Sequence, residues 1–329
     1  MFSVIIPLYN KAPYICKAIE SVFAQTYNDF ELIIVDDGSA DDSLEVVRSV
    51  LRKLDIGKVR VKIVEQANQG VSVARNNGVK QAQYDYIAFL DADDWWDSSY
   101  LEEMSMLIEL YANAGIYSSS YFKVKDGNYT PANIGVESGF KLGIINYFQT
   151  YARTMYQPVW TGSVIVKKTL FSELQGFKPA LKLGEDFDLW VRIAMKYPVV
   201  FLNKPLAYYN QDVEQENRAI GDKLYQPEEH MLFSDYSQYR QNKDFLYLFE
   251  TLALYGLLPY YIANKNINNV KAVLKTINWK AHPLKYRLYY RILPRLVVKF
   301  WFGIIKLASR LKRYIILIID NGMFFSKKE

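Results

Sequence analysis

The sequence predicts an α/β protein: a mostly parallel sheet flanked by helices over the first two-thirds, then a helical extension. Three observations predict it. Short apolar, β-branched runs alternate with segments of helical spacing from Ser3 to Leu90, the rhythm of βαβ units. Two of those runs end in carboxylates, Asp36-Asp37 and Asp91-Ala92-Asp93-Asp94, at the strand ends where open α/β sheets bind ligands. After Tyr209 the alternation stops; residues 211–222 are polar, and 226–276 show helical spacing rich in Tyr, Phe and Leu.

Each element follows from its own residues. Ser3-Val4-Ile5-Ile6-Pro7-Leu8-Tyr9-Asn10 reads as the first strand, with a proline at its exit. Ile15, Ala18, Ile19, Val22 and Phe23 then recur at helical spacing. Phe30-Glu31-Leu32-Ile33-Ile34-Val35 is a second strand, and Asp36-Asp37-Gly38-Ser39 a turn and helix start. Leu44, Val47, Val50, Leu51 and Leu54 mark the second helix, Arg60-Val61-Lys62-Ile63-Val64 the third strand, residues 70–83 the third helix and Tyr86-Ile87-Ala88-Phe89-Leu90 the fourth strand. Further on, Val164-Ile165-Val166 reads as a strand. A helix runs from Asp186 to about Tyr197, with Leu189, Trp190, Ile193 and Ala194 on its core side.

The carboxylates carry the chemistry. Three acids within four residues at the end of a buried strand favour a cation. Mg²⁺ and Mn²⁺ take oxygen ligands and sit between one or two carboxylates and a diphosphate. The competing reading is a helix N-cap. Glu185-Asp186 opens a helix, where acids complement the dipole in any case, so these residues alone leave base or cap open.

Composition sets bounds. The chain has 329 residues, half of them hydrophobic, enough for a large core and an extension. A single cysteine, Cys16, rules out an internal disulfide and any cysteine metal cluster, and two distant histidines, His230 and His282, argue against a zinc site. Met1 runs almost directly into the first strand with no charged, apolar leader, so the expectation is a protein not exported by a signal peptide.

Six elements in order resemble family 2 inverting glycosyltransferases with a GT-A nucleotide-sugar-binding fold. They are Ser3–Asn10, Ser21-Val22-Phe23-Ala24-Gln25-Thr26-Tyr27, Glu31–Ser39, Asn68-Gln69-Gly70-Val71-Ser72-Val73-Ala74-Arg75-Asn76-Asn77-Gly78, Asp91–Asp94 and Gly184-Glu185-Asp186-Phe187-Asp188-Leu189-Trp190. The resemblance covers about 210 residues and implies roles. Pro7, Tyr9 and Asp37 line the nucleotide pocket, with Asp37 accepting from the uracil N3–H. Asp36 is the better candidate for capping the helix after Ser39. Asp91 holds the ribose hydroxyls, and Asp93 binds the Mg²⁺ or Mn²⁺ that bridges the diphosphate. Arg75 and Asn76 position nucleotide and phosphate, although Arg75 also suits a surface helix position. Asp186 is the general base for the attacking hydroxyl. Trp160, Glu185 and Asp188 fall on the acceptor side, where Trp160 could stack on a sugar or pack in the core, and Asp188 could cap the helix.

The charge balance is split. Residues 285–329 hold eleven basic residues and two acids, or +9; the whole chain is +5, so residues 1–284 carry −4. On a helix, Arg295, Lys299, Lys306, Arg310 and Arg313 fall within an arc of about 60°. Leu296, Phe300, Trp301, Ile304 and other apolar residues surround them. That pattern suits a helix lying on an anionic membrane surface through 285–319; packing on the protein itself is the alternative. No uncharged run reaches the roughly 20 residues of a spanning helix, Tyr314-Ile315-Ile316-Leu317-Ile318-Ile319 being the greasiest piece. The expected organisation is a GT-A domain over 1–210, a helical extension over 211–284 and a basic amphipathic tail over 285–329. The expected function is sugar transfer from a UDP-sugar to a lipid-linked or oligosaccharide acceptor, in polysaccharide biosynthesis for the cell envelope. The enzyme would be peripheral on the inner, cytoplasmic face of the cell membrane, with no nucleic-acid partner. A nucleotide-sugar-binding scaffold without turnover is the alternative.

Overall fold

A computed structural model describes residues 1–213 and 223–304. Lys306, Arg310, Arg313 and the run 314–319 lie outside the described residues, as does most of the polar stretch 211–222. The chain divides into two compact units, Met1–Leu248 and Phe249–Glu329. The division falls inside the segment 211–284.

The first unit opens with β1 (Phe2–Leu8), α1 (Ile15–Phe23), β2 (Phe30–Asp36), α2 (Ser43–Lys53), β3 (Arg60–Glu65), α3 (Val71–Gln81) and β4 (Tyr86–Phe89). Every residue of β1 and β2 is buried, as expected of strands covered on both faces. The helix α1 buries Ile15, Ala18, Ile19 and Val22, the residues its spacing selects. Next come β5 (Trp95–Trp96), α4 (Tyr100–Leu110), β6 (Ile116–Lys125), β7 (Asn128–Pro131), β8 (Leu142–Ile145), α5 (Tyr147–Thr154), β9 (Val164–Lys167), α6 (Lys168–Glu173), α7 (Glu185–Ala194) and β10 (Val199–Asn210).

The sheet runs β3-β2-β1-β4-β9-β6-β10-β5, with β7 added to β6 and β8 to β10. Its first half is parallel, β1 pairing with β2 and β4, and β2 with β3. Antiparallel β9 then separates β4 from β6, and β6 pairs parallel with β10. The register places Leu8 opposite Asp36 and Ile5 opposite Phe89. Asp37 N donates to Leu8 O (2.8 Å) and Leu90 N to Ile5 O (3.0 Å). Tyr9, Asp37 and Asp91 therefore leave the sheet at one edge. The helix α3 lies close on β1: a Cβ on Gly78 would stand 2.5 Å from Ile5 Cγ2.

The second unit is helical. It continues α8 (Lys243–Gly256) into α9 (Leu258–Ala263), α10 (Ile267–Lys275) and α11 (Leu284–Arg287). Its interior holds a buried pair, His282 Nε2 at 2.7 Å from Glu250 Oε2, and Glu250 Oε1 accepts from Asn278 N. Among the described residues one stretch, Lys243–Ala263, is long and apolar enough to cross a membrane, with 44% of its window buried in the protein. The basic segment is not one continuous helix. After α11 comes a π-helical turn, Leu288–Ile292, then Leu293 is extended and residues 295–304 are helical again. Pro294 accounts for the break, because a proline drives the residue before it out of the helical region.

Candidate active site

At the sheet edge the Asp37 carboxylate is buried and accepts three hydrogen bonds: from Gln66 Nε2 (2.7 Å), Gln69 N (2.9 Å) and Gly70 N (2.8 Å). A carboxylate has about four acceptor positions, so one remains. Asp36 accepts from Ser39 Oγ and N and closes the turn; it does not cap the following helix, which starts at Ser43 with Asp42 in the N-cap position. Pro7 is buried within β1, and Tyr9 just beyond it is 46% exposed.

Arg75 joins two acidic clusters 94 positions apart. It projects from α3 and is buried; Nη2 donates to Asp91 Oδ1 (2.7 Å) and Nη1 to Glu185 Oε1 (3.1 Å). Burial works against its charge, but Asp91 and then Glu185 overcome that and hold the proton more firmly than in water. Removing one partner of such a buried pair costs about 3–5 kcal/mol. Arg75 Nε is buried without a hydrogen-bond partner.

The acids after β4 differ sharply from one another. Asp93 bonds Lys11 Nζ at 2.6 Å, with both side chains largely covered. Burial pushes its carboxyl up, Lys11 pulls it down and Asp91 pushes it up again, with a net rise. Asp94 is buried, pushed well above the usual range by burial and then by Asp93 and Asp91, and accepts from Asn210 N. Asp94 thus ties β10 to the strand end.

Among the described residues no group of three or more His, Cys, Asp or Glu could hold a metal ion by itself. The donor set still fits a divalent ion shared with a diphosphate. Asp93 offers hard oxygen ligands, and its contact with an ammonium shows that the position draws a cation.

Across the site, Gly184 at φ +81° turns the chain into α7 and delivers Glu185 and Asp186. Asp186 Oδ2 accepts from Gln157 Nε2 (3.1 Å) and Oδ1 from Phe187 N (2.7 Å). The phenols of Tyr121, Tyr147 and Tyr151 lie in its field; burial, with the Asp186 charge among the further causes, raises all three. Glu185 is pushed up to about 7 by burial and by Asp186, against the pull of Arg75. Trp160 packs over Gly162 and between Tyr121 and Tyr209, at 5.0 and 5.2 Å between ring centres.

Two expected site residues are occupied elsewhere. Asn76 donates to Phe177 O and accepts from Phe177 N, which commits its amide to clamping the turn after α6. Asp188 is fully buried, bonded to Lys178, Arg192 and Tyr236, and presents no surface to an acceptor. Sequence reasoning missed Lys11, Gln66, Gln69 and Gln157. Only Lys11, one residue past the first strand's exit, carried a positional signal.

The profile of glycosyl transferase family 2 matches residues 3–165. An uncharacterized glycosyltransferase of Rickettsia felis is 38% identical over 207 residues, 62% of this chain and 32% of that protein. Glycosyltransferase GlyA of Streptococcus pneumoniae is 30% identical over 218 residues, 63% of this chain and 30% of GlyA. The chain thus spans about a third of the length of these relatives. The crystal structure of S. aureus TarS 1-349 in complex with UDP-GlcNAc superposes with a TM-score of 0.56 at 19% identity, covering 88% of this chain and 93% of that one. The mannosyltransferase PcManGT of Pyrobaculum calidifontis, in complex with GDP-Man and Mn²⁺, gives 0.50 at 19% identity, covering 91% and 85%. At these identities the likeness to the solved structures is one of fold. Residues 3–165, with their ordered motifs and the edge of carboxylates they build, are thus a glycosyl transferase family 2 domain, and the chain has the GT-A fold.

Proposed function

We propose that this protein is an inverting glycosyltransferase that moves a sugar from a UDP-sugar to a hydroxyl of a lipid-linked glycan acceptor. The observation that carries the reading is the Arg75 bridge, which holds the nucleotide-side carboxylate Asp91 and the base-side helix start Glu185 on one guanidinium. The uracil N3–H takes the remaining acceptor position of Asp37, Pro7 and Tyr9 flank the base, and Asp91 receives the ribose. Asp93 would hold Mg²⁺ or Mn²⁺, which would supply charge neutralisation for the departing UDP. Asp186 takes the proton of the acceptor hydroxyl as that oxygen bonds to the anomeric carbon. The bond from carbon to the diphosphate oxygen breaks on the opposite face, UDP leaves with the electron pair, and the configuration inverts. Gln157 and the α7 N-terminus orient the base. Trp160 and the neutral phenols around it line the acceptor side.

The acceptor's location rests on the second unit. Leu296, Phe300 and Trp301 are exposed at 75, 72 and 54%, beside exposed Lys299 and near Lys285, Arg287 and Arg291. Each basic residue near an anionic bilayer contributes about 1 kcal/mol, and the apolar residues add insertion. These residues support a peripheral position on the cytoplasmic face of the membrane.

Incubation with a panel of nucleotide sugars tests the chemistry. The expected result is Mn²⁺-dependent UDP release from one UDP-sugar, accelerated by acceptor. Tight binding with no release would favour the scaffold reading. Co-sedimentation tests the location: the full chain should pellet with anionic vesicles and not neutral ones, and Phe300→Glu with Trp301→Glu should abolish it.

A further inference from the structure

Lys11 has no place in the reading above, yet it is the cation nearest the proposed metal ligand. Its backbone is anchored, with Lys11 N donating to Ser43 Oγ (2.7 Å) and the neighbouring Ala12 N to Asp41 Oδ2. Asn10, at φ +51°, is held from both sides: its N donates to Ser39 Oγ and its Oδ1 accepts from Ala40 N. From this fixed base the side chain crosses to Asp93, 82 positions along the chain, and is only 15% exposed. The side chain ends in a primary ammonium on a flexible stem.

The charges around it are nearly balanced. Asp91 is met by Arg75, Asp93 by Lys11, and Asp94 by burial and the Asn210 amide. A divalent ion on Asp93 would compete with the ammonium for the same oxygens. A displaced ammonium gives up its 2.6 Å contact with Asp93. With a nucleotide diphosphate present it has new anionic oxygens within the same site.

We propose that Lys11 is an ammonium placeholder on Asp93 that yields this carboxylate to a divalent cation and moves to the donor diphosphate, so that metal and nucleotide bind co-operatively. The inference rests on Asp93 as the metal ligand. After the sugar leaves, UDP carries one more negative charge than it did as a diester, and Lys11 stands beside it. Lys11 is thus a positioning residue for the leaving group, and its return to Asp93 accompanies release of metal and UDP.

Linkage makes the proposal measurable, because the factor by which Mn²⁺ tightens UDP must equal that by which UDP tightens Mn²⁺. Mn²⁺ binding to the full chain is read from the paramagnetic resonance signal of the free ion, and UDP binding from calorimetry with and without Mn²⁺. Lys11→Met should bind Mn²⁺ alone about tenfold more tightly than wild type and lose a similar factor of the coupling. Lys11→Arg, which keeps the charge, should stay near wild type. Asp93→Asn should abolish Mn²⁺ binding. If Asp93→Asn still binds Mn²⁺, the metal assignment fails. If it does not, and Lys11→Met binds Mn²⁺ no more tightly than wild type, the placeholder alone is overturned. Should Lys11→Met fail to fold, the wild-type cycle decides: Mn²⁺ and UDP that bind independently overturn it.

Discussion

The two sides of the site are built from different materials. On the proposed nucleotide side every acid has a partner in the structure: Asp37 main-chain and glutamine donors, Asp91 a guanidinium, Asp93 an ammonium. On the proposed acceptor side Asp186 meets one glutamine, one main-chain N–H and a wall of raised, neutral phenols. The first is an ionic frame whose donors are set by strand ends and helix starts. The second is an aromatic wall whose phenols burial keeps neutral. A frame of this kind suits a constant ligand and a wall of this kind a variable one. Losses on the first side should therefore appear in metal and donor binding, and losses on the second in turnover and acceptor use.

The largest expected effect tests the ionic frame. Asp93→Ala should lower transfer at least about 10³-fold and remove its dependence on Mn²⁺, while circular dichroism stays unchanged because the substitution also relieves acid crowding. Activity that is unchanged, or indifferent to EDTA, breaks the assignment. Asp186→Asn tests the other side: kcat should fall about 10²–10⁴-fold while calorimetry finds UDP-sugar affinity near wild type. Collapse of affinity with kcat intact would move Asp186 to the donor side and erase the contrast. Arg75→Met tests the bridge, and thermal unfolding should report a loss of up to about 3–5 kcal/mol, since two partly buried carboxylates lose the buried guanidinium between them.

The smallest effect is a slope. Glu185 is held up to about 7 against an ordinary 4.5 by burial and Asp186, with Arg75 opposing and Tyr225 also in its field. Between those pH values the folded chain keeps a proton that the unfolded chain has released, so stability falls as pH rises through the window, by up to about 1.4 kcal/mol per unit. His230, pressed down to about 4 by burial from 6.5, acts in the opposite sense: stability falls as pH drops from 6.5 toward 4. Glu185→Gln should flatten the first slope and leave the second, read by thermal unfolding from pH 4 to 8.

The two sides also differed in legibility. The frame is written locally: an apolar run followed by acids specifies both the strand and what stands at its end, so Asp36, Asp37, Asp91 and Asp93 could be placed by inspection. The cations that meet them could not, because the pairing of Lys11 with Asp93 depends on how separate loops converge. Asp188 looked like its neighbours Glu185 and Asp186, yet this third acid of the turn points into the core, where Lys178 and Arg192 meet it. The strands β5 to β8 escaped detection for local reasons. The strand β5 is two residues long, and Ser118, Ser119 and Ser120 interrupt the apolar pattern of β6 although all three are buried. In the basic segment, helical spacing was legible but took no account of Pro294.

Gly78 sets a tolerance for all of this. With no Cβ between α3 and Ile5, the helix is seated on the strand as a machined part sits on its reference face, and Arg75, one turn earlier, inherits that alignment. A methyl group there would act as a shim. It would lift the helix, shift the guanidinium and widen the span between Asp91 and Glu185 without altering any residue that touches a substrate. Tuning this enzyme from a distance would start at that seat.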